Sequence, residues 1–160
     1  MRDADHLLEW RNDPVTRASC ICTDEVPRES HMDWLRRSLA SKDRALYIAM
    51  LDMSRAGTVR LDYGDRTEIS WTVAPAFRGR GIGKAMVSLI VESLTGPIFA
   101  LIKAENTQSQ RIALAAGLAL TAANGGILEF TAERPGERRT AAGTESAQAE
   151  VFILHKQFHY

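Results

Sequence analysis

The chain has 160 residues, of which 45% are hydrophobic and 25% are charged, a size and composition typical of one globular domain with its own core. Its 20 basic residues balance its 20 acidic residues, so no overall field indicates a nucleic acid or a membrane surface as a partner. The apolar runs are too short for a membrane span, and the first residues include acids and no apolar segment of the kind that a signal peptide needs.

The predicted elements alternate along the chain between helical and strand-like periodicity. In chain order they are a helix over residues 5–10, a helix over 27–40, strands over 44–51, 57–64 and 67–74, a helix over 82–94, a strand over 98–105, a helix over 107–117, and strands over 118–123 and 127–133. The sequence Asn12-Asp13-Pro14 is expected to close the first helix as a turn. This order predicts an α+β domain in which helices pack on a mixed sheet.

The last part of the chain differs in composition from the rest. We expect residues 1–133 to form the folded domain and residues 134–150, which are small and polar, to form a loop or linker. The tail 151–160 is strand-like and is expected to add an edge strand to the same sheet or to the sheet of a neighbouring subunit. The second arrangement would favour a homodimer.

The two cysteines, Cys20 and Cys22, are too few and too close together for a disulfide framework. Their spacing does not form a zinc-ligand pattern either. We therefore expect reduced thiols, no metal site and a cytoplasmic location.

A group of glycines and cations lies at the start of the helix over 82–94. Its members are Gly79, Gly81 and Gly83, flanked by Arg78, Arg80 and Lys84. Glycines let successive backbone N–H groups turn toward one concavity, and the helix N-terminus adds partial positive charge, so a diphosphate fits such a loop. The spacing is wrong for a Walker A loop and for the GxGxxG dinucleotide fingerprint. The alternative is a glycine-rich turn between strand and helix, with solvated cations.

Two segments together resemble the GCN5-related N-acetyltransferases, the GNAT superfamily. The run from Arg78 to Gly83 resembles the family's coenzyme A pyrophosphate loop, which follows a strand and opens a helix. Downstream, Asn106, Ser109 and the pair Gly117-Leu118 are similar to the family's Asn-x-x-Ser/Ala helix that closes with Gly-Phe. The resemblance covers about residues 10–130.

The resemblance implies an enzyme that moves an acetyl group from acetyl-CoA directly to a primary amine. It implies the GNAT fold, a mixed central sheet with helices on both faces and one splayed strand pair, here "ISWTVA" and "FALIKAE", which pantetheine fills. It also implies that a backbone N–H near Thr72 or Val73 polarises the thioester carbonyl. The cofactor-binding residues expected on this basis are Thr72, Val73, Arg78, Gly79, Arg80, Gly81, Ile82, Gly83, Lys84 and Asn106.

The catalytic residues expected are Glu68, Asn106 and Ser109. Glu68 is the predicted base, because strand alternation places it on one face with Ser70 and Thr72; a solvent-facing glutamate is the alternative. The acid stays open, because Ala113 stands where many members carry a tyrosine. Either Ser109, a water held by Asn106 or a tyrosine from elsewhere supplies the proton, or the thiolate leaves unassisted.

The first third of the chain bears on the acceptor. Its Trp-Arg-Asn pattern resembles both the acetyltransferases for nucleotide-linked amino sugars of pseudaminic acid synthesis and those that acetylate ribosomal-protein N-termini. The residues expected to line the acceptor pocket are Trp10, Arg11, Asn12, Arg17 and His31, with Trp34 beside them. Core tryptophans, a surface or capping histidine and a loop that satisfies its own backbone are the alternatives.

Three functions follow from these residues. The favoured one is N-acetylation of a small-molecule amine, with a nucleotide-linked amino sugar as acceptor. The second is acetylation of a protein or peptide N-terminus, and the third is a non-catalytic sensor that binds acyl-CoA. An acidic groove would favour peptide amines, and a basic patch would favour a nucleotide-linked acceptor.

Overall fold

A computed structural model of the chain describes residues 3–134 and 153–156. The helices are Ala4–Asn12 (α1), Pro14–Ser19 (α2), Arg28–Ala40 (α3), Ile82–Ser93 (α4) and Thr107–Ala115 (α5), with a 3-10 turn at Pro75–Phe77. The strands are Arg44–Leu51 (β1), Ser54–Asp62 (β2), Thr67–Val73 (β3), Gly96–Lys103 (β4), Ala119–Asn124 (β5), Ile127–Arg134 (β6) and Ile153–Lys156 (β7).

The strands form one mixed sheet in the order β5-β6-β4-β3-β2-β1-β7. All neighbours in the sheet are antiparallel except β3 and β4, which are parallel. A parallel pair needs a crossover, and α4 supplies it between β3 and β4. The predicted α+β fold with a mixed sheet is confirmed.

Helices cover both faces of the sheet, and β1 shows how the sequence allows this. Leu46 and Ile48 on this strand pack with Leu7 and Trp10 of α1 and Leu35 of α3. The alternate positions of β1 point into the larger cluster, which contains the buried faces of α4 and α5. Because successive side chains of a strand point to opposite faces, a strand that is apolar at nearly every position is covered on both sides.

The helix α2 is absent from the sequence prediction, which placed only a turn at Asn12-Asp13-Pro14. The first helix does end at Asn12, but a second begins at once, because the Asp13 carboxylate accepts from the Thr16 N–H at 2.9 Å and Pro14 occupies the first helical position. An aspartate followed by proline is a good start for a helix, since proline has no N–H to lose there. The turn prediction is therefore incomplete.

The C-terminal tail is described only at β7. This strand lies at the edge of the sheet and pairs antiparallel with β1, from Met50 opposite Ile153 to Tyr47 opposite Lys156. Most of the predicted loop 134–150 and the remainder of the tail lie outside the described residues. The described part of the chain contains no helix long and apolar enough to cross a bilayer.

Candidate active site

The parallel strands β3 and β4 part soon after they meet. They pair at Thr67 with Ile98 and at Glu68 with Phe99, and no further pairing joins them among the described residues. On their outer edges both strands stay paired, β3 with β2 and β4 with β6. The inner backbone edges are therefore left without a strand partner, and buried N–H and C=O groups need one. An extended ligand chain fits this opening, so the structure has the splayed pair that the family resemblance implies.

The glycine loop lies beyond the open end of β3. Gly79 and Gly81 have φ angles of +74° and +78°, which glycine adopts without the strain that a side chain brings. Gly81 caps α4, and a Cβ at either glycine would have no heavy atom within 4 Å. The first N–H groups of α4 follow, and such groups have no partner within their own helix. Open space, turned backbone and a helix N-terminus suit a bound diphosphate.

Gly83 has a different reason to lack a side chain. A Cβ there would lie 2.6 Å from Cδ1 of Ile112 and 3.1 Å from Cγ2 of Val73. Its smallness lets α4 pack closely against α5 and β3. Of the three glycines, Gly83 is thus explained by packing inside the core, whereas Gly79 and Gly81 are explained by backbone conformation at the surface.

The cations of the loop do not all remain available to an anion. Arg78 donates to the carboxylate of Asp13 and, at 2.8 Å, to Oγ1 of Thr16, so it ties the loop to the start of α2. The hydrogen bond from Arg78 lowers the pKa of Asp13 below its usual value. Arg80 and Lys84 are exposed, with the Arg80 guanidinium 5.2 Å from the centre of the Phe77 ring. The positive charge that a diphosphate could meet therefore comes from Arg80 and Lys84 rather than from Arg78.

A cavity of about 630 Å³ opens beside the splayed strands. Its walls contain residues predicted for the cofactor and catalysis as well as residues predicted for the acceptor pocket. The predicted residues that line it are Trp10, Arg11, His31, Trp34, Glu68, Thr72, Asn106 and Ser109. The volume is in the range of small-molecule sites, and most of the remaining wall is apolar.

Two of the expected acceptor residues, Asn12 and Arg17, do not line this cavity. The Asn12 side chain makes two hydrogen bonds of 2.9 Å with the backbone of Val26. Arg17 donates from Nε to the Thr23 carbonyl at 3.0 Å and lies 3.6 Å from the carboxylate of Glu25. Both residues hold the loop between α2 and α3 in place, which corrects the expectation that they line the pocket with the other acceptor residues.

Trp10 and His31 are both core residues and wall residues. Trp10 is 5% exposed and belongs to the cluster formed by α1, α3 and β1. His31 is 3% exposed, so the surface alternative is wrong, and its Nε2 lies 3.0 Å from the carbonyl oxygen of Ala4. Burial lowers the pKa of His31, which keeps the ring neutral near pH 7.

Glu68 lies in the part of the cavity where β3 begins. Its carboxylate is 3.9 Å from Nη2 of Arg60, which lies on the neighbouring strand β2. Arg60 also forms an ion pair with Asp62, at 2.7 Å. A second cavity of about 630 Å³ lies beyond this pair, and Trp34, Arg60 and Glu68 line both cavities. The alternative of a fully solvent-facing glutamate does not hold, because Glu68 is half-buried in the wall between the two cavities.

The position of the missing tyrosine is closed to any donor. Ala113 lies on α5 and is fully buried against the core. Of the tyrosines in the described part of the chain, neither Tyr47 nor Tyr63 lines the first cavity. Tyr63 lines the second, and its burial and contact with Tyr47 raise its pKa to about 12. Tyr160 lies outside the described residues.

Asn106 and Ser109 stand at the start of α5, on the cavity wall. Oδ1 of Asn106 accepts the Ser109 N–H at 3.0 Å and so caps the helix. This bond uses the amide oxygen and leaves the Asn106 NH₂ group and the Ser109 hydroxyl for a ligand. The sequence motif and the structure agree in placing both residues beside the opened strands.

The cavity residues that the sequence did not assign to the site include Cys20, Cys22, Arg60 and Ser70. The cysteines are remote from both motifs in sequence, and the loop after α2 brings them to the cavity. Arg60 is directly opposite Ser70 in the β2–β3 pairing. Strand alternation from Glu68 gives the signal that would find this pair, because cross-strand partners share a face. Among the described residues no group of three His, Cys, Asp or Glu side chains could hold a metal ion.

The chain belongs to the GNAT acetyltransferase family, because the family described as "Acetyltransferase (GNAT) domain" matches residues 1–119. It is thus an N-acetyltransferase by family, and the family brings acetyl-CoA as its acetyl donor. No curated protein sequence gives a match.

Solved structures share the fold at low sequence identity. A domain from Methanocaldococcus jannaschii DSM 2661 is 20% identical, with a TM-score of 0.71 over 82% of this chain and 92% of that one. Spermidine N-acetyltransferase from Vibrio cholerae, in complex with CoA and spermine, is 10% identical, with a TM-score of 0.73 over 82% and 89%. Ribosomal-protein-alanine N-acetyltransferase from Brucella melitensis is 19% identical, with a TM-score of 0.70 over 82% and 94%. Such identities establish the fold alone and single out no acceptor subgroup.

Proposed function

We propose that this protein acetylates the primary amine of a small molecule, with a nucleotide-linked amino sugar as the favoured acceptor. The observation that carries the proposal is the cavity itself, in which Glu68, Asn106 and Ser109 meet the open edge of β3. Acetyl-CoA supplies the acetyl group as a thioester, which the amine attacks directly with release of the free thiol. No nucleophile from the protein is needed.

The residues that would hold the cofactor divide into two groups. The exposed turn at Gly79 and Gly81, with Arg80 and Lys84 beside it, suits the diphosphate. The unpaired edges of β3 and β4 suit the extended pantetheine arm, whose amides would satisfy backbone groups that otherwise lack partners. A backbone N–H at Thr72 or Val73 would stabilise negative charge on the carbonyl oxygen.

Proton transfer falls to two sides of the cavity. The acceptor must be a neutral amine, and Glu68 takes its proton directly or through a water. The Ser109 hydroxyl, or a water bound by the NH₂ group of Asn106, gives a proton to the departing sulfur. A thiol of pKa about 8.5 gains from such a donor near neutral pH.

The balance of charge supports an acceptor that is not a polycation. Of the charged side chains on the cavity wall, Arg11 and Arg60 are positive and Glu68 is negative. Basic residues near the amine site favour an acceptor with phosphate groups, as in a nucleotide-linked amino sugar, over a protein N-terminus. The protein N-terminus remains the second candidate acceptor, and a cytoplasmic location remains a prediction from the free thiols.

The test is a panel of amines with acetyl-CoA and detection of the released thiol. Amino sugars linked to nucleotides, the corresponding free amino sugars and short peptides with free N-termini form the panel. Preferred turnover of a nucleotide-linked amino sugar supports the proposal, and preferred turnover of peptides supports the alternative. A protein that binds coenzyme A with no turnover of any amine would be the non-catalytic sensor.

A further inference from the structure

Arg11 has a nitrogen with no partner on the wall of the cavity. Its Nη2 donates to the carbonyl oxygen of Cys22 at 3.0 Å, whereas Nη1 is buried and makes no hydrogen bond to any described residue. The three carboxylates that follow it up to residue 25 have other contacts: Asp13 pairs with Arg78, Glu25 lies near Arg17, and Asp24 accepts from the Cys22 thiol at 3.9 Å. Nη2 is therefore held by the loop, and Nη1, which is buried at the cavity wall, is left with its hydrogen-bonding capacity unused.

The positive charge of Arg60, the second cation of the cavity, is better compensated by carboxylates. Arg60 contacts Asp62 at 2.7 Å and Glu68 at 3.9 Å, and Asp62 is shared with Arg44. The atom of Arg60 in the 2.7 Å contact is Nε, which is buried and forms an ion pair with Asp62 without the angle of a hydrogen bond. The uncompensated charge of the cavity is consequently that of Arg11.

A buried N–H of a cation is costly when no acceptor reaches it, and a ligand that brings an acceptor recovers that cost. A guanidinium prefers the paired oxygens of a carboxylate or a phosphate. A polyamine would instead bring further positive charge toward Arg11, with Glu68 as the only carboxylate in the described wall to offset it. The cavity thus suits an amine that also carries a negative group.

We propose that the acceptor carries an oxyanion, a carboxylate or a phosphate, in addition to the amine, and that Arg11 binds this oxyanion. The inference rests on the proposed function and narrows its substrate class. Arg11 is then a specificity-determining residue at one end of the cavity, while Glu68 faces the amine. Arg11 selects among amines and takes no part in proton transfer.

The test compares matched amines that differ only in the oxyanion. Leucine with 3-methylbutylamine tests the carboxylate, and glucosamine 6-phosphate with glucosamine tests the phosphate. In at least one pair the anionic member should have a kcat/KM higher by about 10- to 100-fold, the size expected for a hydrogen bond to a charged group. Arg11→Gln should remove most of that ratio, and Arg11→Lys should restore part of it.

The ratio within a pair separates recognition from loop stability. Arg11 also holds the carbonyl of Cys22, so its loss could disturb the loop, but a disturbed loop would slow both members of a pair alike. Arg17→Gln is the matched control, because Arg17 ties the same loop through Thr23 without lining the cavity. Its ratio should stay that of the wild type.

Equal kcat/KM within both pairs, or a ratio that survives Arg11→Gln, overturns the inference while leaving the acetyltransferase intact. Absence of turnover with all four amines and with the nucleotide-linked amino sugars, in a protein that binds coenzyme A, also overturns it. A protein that neither binds coenzyme A nor releases thiol would show instead that the proposed function itself has failed. The pair that responds identifies the oxyanion as carboxylate or phosphate.

Discussion

Gly57 on β2 is the position where a single methyl group should disturb the site most directly. A Cβ there would lie 2.6 Å from the carbonyl oxygen of Thr72 and 3.0 Å from the sulfur of Met86. The first contact is with backbone, which cannot move without shifting β3. Gly57→Ala therefore pushes on the strand whose inner edge forms the cavity wall.

The magnitude follows from two opposing effects. Overpacking of this kind costs about 1–3 kcal/mol. Replacing glycine by alanine within a strand recovers about 0.5–1 kcal/mol. We expect a net loss of about 1–2 kcal/mol in the free energy of unfolding, or about 2–8 °C in Tm for a chain of this size. Because Thr72 moves, the affinity for coenzyme A should fall as well.

The assay is thermal unfolding of Gly57→Ala and of a matched control, each with and without coenzyme A. Gly64→Ala is the control, because its Cβ would meet only the carbonyl oxygen of Arg66, at 3.5 Å. The control should stay within about 0.5 kcal/mol of the wild type. A Gly57→Ala protein as stable as the control, with unchanged affinity for coenzyme A, would refute the reasoning.

Three further predictions concern single side chains. Because Arg78 keeps the Asp13 pKa below 3.8, the ionised Asp13 stabilises the folded protein fully above about pH 4, and this stabilisation is lost as pH falls through the folded-state pKa. Urea unfolding from pH 6 to pH 3 should therefore show a weaker pH dependence in Asp13→Asn than in the wild type. Parallel curves for the two proteins would contradict this. Burial lowers the pKa of His31 below 6.5, so the unfolded chain takes up a proton first and the wild type should lose stability as pH falls from about 7 to 5. His31→Leu should lose this slope, and a slope that persists would place its origin elsewhere. Glu68→Gln should lower kcat by about 100- to 10,000-fold at unchanged affinity for coenzyme A, and a kcat within threefold of wild type would exclude Glu68 as the base.

Elements with strong hydrophobic periodicity were predicted from the sequence, whereas the short helix α2, which lacks it, was missed. The helix α4 and the strands β1 and β4 have long apolar patterns, and the structure places them within two residues of the predicted bounds. The helix α2 has six residues and no apolar stripe, so only its Asp13-Pro14 start signals it. Periodicity needs several turns to be visible, whereas a cap needs one residue.

In the candidate site, too, local features were predicted and long-range contacts were not. Local motifs predicted the glycine turn and the Asn106 cap, because their partners lie within a few residues. The engagement of Arg78 by Asp13 joins positions 65 residues apart and cannot be found from spacing. The splayed strands were expected only from the family resemblance, because alternation shows which side chains share a face and not where two strands cease to pair.

The central claim is that the turned backbone from Gly79 to the start of α4 holds a diphosphate and so directs a thioester between β3 and β4. Calorimetric titration with coenzyme A of the wild type, Gly81→Glu and Gly126→Glu tests it most directly. Gly126 is the control because it has the same φ of +78° and the same open space, in the β5–β6 turn. We expect saturable one-to-one binding by the wild type and Gly126→Glu, and binding at least about tenfold weaker by Gly81→Glu, whose carboxylate repels the phosphates. A folded wild-type protein with no saturable binding, or equal affinities in all three proteins, would contradict it.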